Sequence, residues 1–117
     1  MNLLNSVLVE GCVTAKPKAS FTLDQTALCT FTIAYERVYK TADGKRTDTY
    51  FFDIEVVNIL ADACKTLEKG MFVRVVGRLK QDSWTDAEGK SQAQIIIVGE
   101  HIEKKALCKT NAENITV

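Results

Sequence analysis

A single change of periodicity in the middle of the chain most constrains the fold. Between two sets of alternating segments, "NILADACKTLEKG" repeats its apolar residues every three to four positions, at Ile59, Leu60, Ala63, Cys64 and Leu67. This spacing predicts one helix, whereas alternation rich in β-branched and aromatic residues predicts strands. The predicted strands are the apolar run Leu3–Val13 and then "ALCTFTIAYERVY", "TYFFDIEVV", "MFVRVVGRLKQDSW" and "SQAQIIIVGEHIEK".

Turn residues divide these strands into hairpins. Asp43-Gly44 separates the second strand from the third, and Asp86 to Gly89 separates the fourth from the fifth; both are typical hairpin turns. "KPKAS", residues 16–20, is predicted to be a break. Gly11 suggests a bulge or a close backbone approach in the first strand.

The order of these elements is strand, strand, strand, helix, strand, strand. It predicts an all-β protein: a five-stranded OB-fold, a Greek-key barrel with one helix between strands 3 and 4. A generic α+β sandwich of this length can share the order. The length of 117 residues suits one domain. We expect it to span residues 1–105, followed by a short flexible tail at 106–117.

Composition excludes several kinds of protein. The 15 Lys and Arg balance the 15 Asp and Glu, so only local clustering can indicate a polyanionic partner. No pair of the four cysteines has CxxC spacing and there is one histidine, which argues against a sequence-local zinc site. No apolar run approaches the roughly 18 residues of a membrane helix, and no secretory signal is evident. We expect a cytoplasmic protein that needs no cofactor and has reduced, mostly buried thiols.

Aromatic and basic side chains are interleaved outside the predicted core. Alternation along the fourth strand predicts a core face of Met71, Val73, Val75, Gly77 and Leu79. The opposite face holds Phe72, Arg74, Val76, Arg78, Lys80, Asp82 and Trp84. The first hairpin brings Lys40, Lys45 and Arg46 close to Tyr39. Such a pattern favours binding of single-stranded nucleic acid, because bases stack on exposed rings while cations follow the phosphates.

Each of these features also has a simpler explanation. Aromatic rings near hairpins often cap a core or contact another subunit, and basic side chains on outer faces are usually solvated. Phe72 and Val76 suit a protein–protein contact. Asp53 and Glu55 share a strand face and could hold Mg²⁺ for phosphodiester cleavage, or could pair with a neighbouring Lys or Arg. Without a third acidic ligand nearby, we predict no metal and no catalytic residue.

Five stretches resemble the bacterial-type single-stranded DNA-binding protein family over about residues 5–104. They are "NSVLVEG", "CTFTIAYERVY", "TDTYFFDIEVVNILADACKTLEKGMFVRVVGRL", "SWTDAEGK" and "VGEHIE". The resemblance implies non-catalytic binding and protection of single-stranded DNA during replication, recombination and repair. It places stacking rings at Tyr39, Phe51 and Trp84, and a fourth position on Val57, which is not aromatic. We expect the basic residues Lys40, Lys45, Arg46, Arg78 and Lys80 to contact phosphates.

The resemblance also carries expectations about partners. It implies a homo-oligomer, a tetramer in most of the family, with no membrane partner. The family usually ends in a flexible linker and an acidic tip that recruits replication and repair proteins, whereas this chain ends "KKALCKTNAENITV". Recruitment is therefore absent, located elsewhere, or carried by a longer protein. The alternatives are an accessory factor like primosomal replication protein B, which is a dimeric OB-fold, and a protein–protein module that has lost strong DNA binding.

Overall fold

The computed structural model describes residues 2–108, and these form six strands and one helix. The elements are β1 (Val7–Val13), β2 (Lys18–Phe21), β3 (Ala27–Thr41), β4 (Gly44–Val57), α1 (Ile59–Cys64), β5 (Met71–Thr85) and β6 (Ser91–Leu107). The five predicted strands and the helix are confirmed in their predicted order. The predicted tail at 106–117 lies almost entirely outside the described residues.

The strand β2 was not predicted, because most of it falls in the stretch predicted to be a break. It pairs antiparallel with the start of β3, from Lys18↔Thr30 to Phe21↔Ala27. All four of its residues are exposed, so it has no buried face and therefore no apolar alternation to reveal it. It extends the edge of the sheet and leaves the five-stranded barrel unchanged.

The barrel closes between β1 and β3. The strand order is β1-β5-β6-β4-β3-β2, and the additional β1–β3 pairing joins Cys12 to Ala34 and Val13 to Ile33. Gly11 permits this closure, because a Cβ atom on it would lie 2.7 Å from the carbonyl oxygen of Ala34. The predicted close approach at Gly11 is thus confirmed.

The core lies inside the barrel and beneath the helix. Its members are Val13, Cys29, Phe31, Ile33, Ile54, Val56, Ala61, Cys64, Leu67, Val73, Val75 and Ile97. The helix ends at Cys64, whereas the predicted apolar stripe reached Leu67. Cys64 and Leu67 are buried, but Ala63 is exposed. Burying these apolar groups stabilises the barrel by roughly 25 cal/mol per Å² removed from water.

The two long hairpins, β3–β4 and β5–β6, extend beyond the closed barrel. The predicted core face of β5 is confirmed at Val73, Val75 and Gly77. It is wrong at Leu79, which is 45% exposed. The ladder between β1 and β5 ends at Val7↔Gly77, so no strand of the described chain covers Leu79.

The cysteines depart from the prediction of reduced thiols. Cys12 and Cys108 form a disulfide with a Cα–Cα distance of 6.3 Å. Backbone hydrogen bonds bring them together: the Gly70 N–H donates to the Val13 carbonyl and the Cys108 N–H to the Gly70 carbonyl, both at 2.8 Å. The prediction is confirmed for Cys29 and Cys64, which are buried and form no disulfide. Among residues 2–108, no helix has the length and apolar character needed to cross a membrane.

Candidate nucleic-acid interface

One outer sheet face collects most of the predicted binding residues. Paired residues point to the same side of a sheet, and the pairs on this side include Ala34↔Phe51, Thr32↔Asp53 and Thr30↔Glu55. On the other hairpin they are Arg78↔Val98, Lys80↔Ile96, Asp82↔Gln94 and Trp84↔Gln92. The parallel pair Glu55↔Val98 joins the two sets. We call this surface of β3, β4, β6 and β5 the outer face.

Trp84 lies on a hydrogen-bonded hairpin with its ring 48% exposed. One carboxylate oxygen of Asp86 accepts hydrogen bonds from the backbone N–H groups of Glu88 and Lys90, at 2.9 Å each. The backbone N–H of Lys90 and the side-chain amide of Gln92 hold the pKa of Asp86 below its usual value. Gly89 has φ of 82°, a conformation that favours glycine. The turn therefore holds the ring in position without burying it.

Phe51 is the second exposed ring of the outer face, at 54% exposure. It lies at the rim of a groove of about 1000 Å³ between β1 and the two hairpins. Other apolar residues lining that groove are Val7, Leu8, Val9, Tyr35, Phe52, Leu79, Ile95 and Ile97. Val57, at the fourth position implied by the resemblance, lies at the end of β4 and offers no ring.

Arg78 and Lys80, the β5 cations predicted to contact phosphates, contact carboxylates within the protein. Lys80 Nζ donates to both oxygens of Glu55, at 2.8 and 3.2 Å, and lies 3.3 Å from Asp82. The hydrogen bond to Glu55 is the main cause that raises the pKa of Lys80. Arg78 pairs with Glu100 at 3.3 Å. A phosphate contacting either cation would have to share it with these carboxylates.

The tip of the β3–β4 hairpin presents its cations on two sides. Lys40 pairs with Lys45 on the same side as Phe51, whereas Tyr39 and Arg46 pair on the opposite side. Tyr39 is half-buried, and the Arg37 guanidinium lies 5.4 Å from the centre of its ring. Desolvation and the nearby Asp48 raise the pKa of Tyr39. The structure therefore brings Phe51, Trp84, Lys40, Lys45, Arg78 and Lys80 onto one face and leaves Tyr39 and Arg46 on the other.

Sequence reasoning missed an aromatic cluster on that opposite side. The Tyr35 ring stacks near Tyr50, with centroids 6.3 Å apart, and lies 6.1 Å from Phe52. Tyr50 is 46% exposed and its hydroxyl lies 3.4 Å from Asp48. Alternation places Tyr50 and Phe52 on one face of β4, and this is the signal that could have indicated the cluster.

Asp53 and Glu55, the acidic residues of β4 on the outer face, are engaged by side chains. Asp53 accepts a hydrogen bond from the Thr32 hydroxyl at 2.8 Å, and Glu55 binds Lys80. No group of three His, Cys, Asp or Glu residues within the described chain is placed to hold a metal ion. Pairing with neighbours is thus what the structure shows for these carboxylates.

Comparison with known proteins identifies the family. The profile of the "Single-strand binding protein family" matches residues 4–104. A single-stranded DNA-binding protein of Aquifex aeolicus is 33% identical over 102 residues, which cover 86% of this chain and 69% of the relative. One from Deinococcus radiodurans is 30% identical over 112 residues, covering 95% of this chain but 37% of that protein.

A solved structure supports the fold. The crystal structure of a deletion mutant of the single-stranded DNA binding protein from Thermus aquaticus superposes with a TM-score of 0.76 at 24% identity. The similarity covers 87% of this chain and 50% of that one. With a family profile that matches most of its length, on an OB barrel whose outer face carries exposed rings and cations, the chain belongs to the single-strand binding protein family.

Proposed function

We propose that this protein binds single-stranded DNA along the outer face and catalyses no reaction on it. The observation that carries this proposal is the pair of exposed rings, Phe51 and Trp84, on one continuous sheet face with Lys40, Lys45 and Lys80. Relatives that bear the name single-stranded DNA-binding protein support it.

In this proposal, base stacking and charge both contribute to DNA binding. Each base stacked on an exposed ring contributes about 1–3 kcal/mol without regard to sequence. The net charge is zero, so attraction for phosphates depends on local cations rather than on the whole molecule. Lys40 and Lys45 are exposed at the hairpin tip on the side of Phe51 and can contact phosphates directly. Arg46 is exposed on the opposite side of the tip, so it contacts a phosphate only where the strand passes over the tip. Arg78 and Lys80 contribute where a phosphate displaces or joins their carboxylate partners.

Titration with oligo(dT) tests the proposal, because Trp84 is the sole tryptophan and reports from the outer face itself. Stacking should quench its fluorescence in a saturable way, and added salt should weaken the binding. An oligo(dT) titration that leaves the fluorescence unchanged, with no gel shift at low salt, would reject the proposal.

We further propose that copies of this chain associate, as a homotetramer. The part of β1 from Val7 to Gly11 pairs on one side with β5, and no strand of the described chain pairs with its other edge. Such an edge is a template for a strand of a second copy, and Leu8 on it is 69% exposed. Light-scattering mass separates a tetramer from a dimer like that of primosomal replication protein B, and from a monomer.

We also propose for this protein the cellular role that the family resemblance implies. Residues 1–105 would form the DNA-binding domain and protect single strands during replication, recombination and repair, in the cytoplasm at the nucleoid. In a reducing compartment the Cys12–Cys108 pair would exchange between disulfide and thiols.

A second candidate, a protein–protein module, is favoured by one observation. Arg78 and Lys80 already have carboxylate partners, which weakens their attraction for phosphates. Weak or absent gel shifts with oligo(dT), together with stable self-association, would favour this alternative.

A further inference from the structure

The contact between Lys80 and Glu55 lies where the two long hairpins join on the outer face. Strands β4 and β6 pair at Glu55↔Val98, so the sheet is continuous from one hairpin to the other at this level. Lys80 lies on β5 and reaches Glu55 on β4 across the intervening strand β6. A DNA strand that follows the sheet from Trp84 to Phe51 therefore crosses it near this contact.

Carboxylate oxygens surround the ammonium group of Lys80. Oε1 and Oε2 of Glu55 lie 3.2 and 2.8 Å from Nζ, and Oδ1 of Asp82 lies 3.3 Å from it. A lysine ammonium has three N–H donors, and these three oxygens can take up all of them. A phosphate that binds Lys80 must therefore displace a carboxylate or share the ammonium with it.

Displacing Glu55 is costly, because its carboxylate has little contact with water. The Glu55 side chain is 16% exposed, against 42% for Asp82. A charged group that is largely withdrawn from water and loses its partner costs more free energy than an exposed one. If Glu55 instead keeps its contact, the phosphate is held next to a second negative charge, and a partly buried charge is poorly screened. Glu55 thus opposes a phosphate at Lys80 in either arrangement.

The other carboxylates near this part of the outer face are weaker competitors for a cation. Glu100 pairs with Arg78 at 3.3 Å, but both side chains are about half exposed, so solvent screens the pair. Asp53 accepts a hydrogen bond from the Thr32 hydroxyl and pairs with no cation among the residues that the structure describes. Glu55 is therefore the carboxylate on which the affinity for phosphate depends most.

We propose that Glu55 competes with phosphates for Lys80 and so holds the affinity of this protein for single-stranded DNA below the level that its rings and cations allow. This inference rests on the proposed function, since it assumes that DNA follows the outer face. It assigns to Glu55 a role that opposes binding, whereas Phe51 and Trp84 supply the stacking.

The test is a substitution that should tighten binding, measured by Trp84 fluorescence with oligo(dT). Glu55→Gln removes the charge with little change of shape, and Asp82 remains beside Lys80. We expect about three- to tenfold tighter binding at low salt, a gain between that of an exposed ion pair and that of a hydrogen bond to a charged group. The slope of log K against log salt should steepen by about 0.7, since one more phosphate is neutralised. A loss of folding cannot produce such a gain.

Asp53→Asn is the matched control, because it removes the same charge from the same face of β4 without releasing a cation. We expect it to tighten binding by less than about twofold, as a screened charge allows, and to leave the salt slope unchanged. A second variant, Glu55→Thr, replaces the carboxylate by a β-branched residue that suits a strand and should give the same gain as Glu55→Gln. In a Lys80→Met background, Glu55→Gln should give a much smaller gain, because no cation is released.

The outcomes separate this inference from the proposed function. Unchanged or weaker binding in both Glu55 variants, or an equal gain in Asp53→Asn, overturns the competition at Lys80 and leaves the proposed function standing. A gain that persists undiminished in the Lys80→Met background overturns it as well, since the gain would then come from general repulsion. Failure of the parent and of every variant to bind oligo(dT) rejects the proposed function, and this inference with it.

Discussion

Replacing Trp84 by alanine should weaken binding of single-stranded DNA without harming the fold. The ring is 48% exposed, and its surroundings on the hairpin are the small or polar residues Ser83, Thr85, Ser91, Gln92 and Ala93. Its removal leaves no core cavity, so we expect the free energy of unfolding to change by less than about 0.5 kcal/mol.

The expected loss of affinity follows from the rings that remain. Stacking contributes about 1–3 kcal/mol per base. Val57 supplies no ring, and Tyr39 lies on the opposite side of its hairpin with Arg37 against it. Trp84 is thus one of two exposed rings on the outer face, and we expect a loss of about 2 kcal/mol, or roughly 30-fold in Kd.

The assay is fluorescence anisotropy of a dye-labelled oligo(dT), because the variant has no tryptophan to report binding. Trp84→Phe is the matched control and should retain most of the affinity, since a smaller ring still stacks. An alanine variant that binds within twofold of the parent, with an unchanged melting temperature, would refute the role given to this ring.

Three further predictions concern charge, pH and the disulfide. Replacing Lys45 and Arg46 together by alanine should lower the slope of log K against log salt by up to about 1.4, at about 0.7 for each phosphate that is no longer neutralised, measured by titration at several salt concentrations. The pKa of Lys80 is raised in the fold by Glu55, so this pair stabilises the protein below the ordinary lysine pKa and the stability is lost as pH rises through the raised value; thermal melts across alkaline pH should show a smaller loss in Glu55→Gln. Cys108→Ser should lower the free energy of unfolding by up to about 4.7 kcal/mol on a chain-entropy estimate, since the disulfide spans a separation of 96 residues; an equal denaturation midpoint for the parent with and without reductant would contradict this.

The order of elements could be predicted because each element has a local pattern. Alternation along β3 to β6 and the apolar stripe around Cys64 need no knowledge of distant residues. The strand β2 escaped prediction since all its residues are exposed, and Leu79 was assigned to the core since alternation cannot tell where β1 stops covering β5. The disulfide depends on closure of the barrel, which brings together residues 96 positions apart.

The candidate site, too, could be predicted within single strands but not across them. Alternation within one strand grouped Arg78, Lys80 and Trp84 correctly on one face. It could not link faces across strands without the register, so the separation of Tyr39 from Phe51 emerged only from the pairing of β3 with β4. The contact of Lys80 with Glu55 likewise required the strand order β5-β6-β4. That DNA is contacted stays a prediction for every residue of the candidate site: Tyr39, Phe51, Trp84, Lys40, Lys45, Arg46, Arg78 and Lys80.

Photo-crosslinking tests the central claim, a single strand bound along the outer face, most directly. An oligonucleotide carrying a photoreactive pyrimidine is bound, irradiated and mapped by mass spectrometry of the crosslinked peptides. The structure predicts crosslinks at Phe51 in β4 and at Trp84 in the β5–β6 hairpin, which disappear on competition with unlabelled oligo(dT). Crosslinks confined to the aromatic cluster of Tyr35, Tyr50 and Phe52 would contradict it.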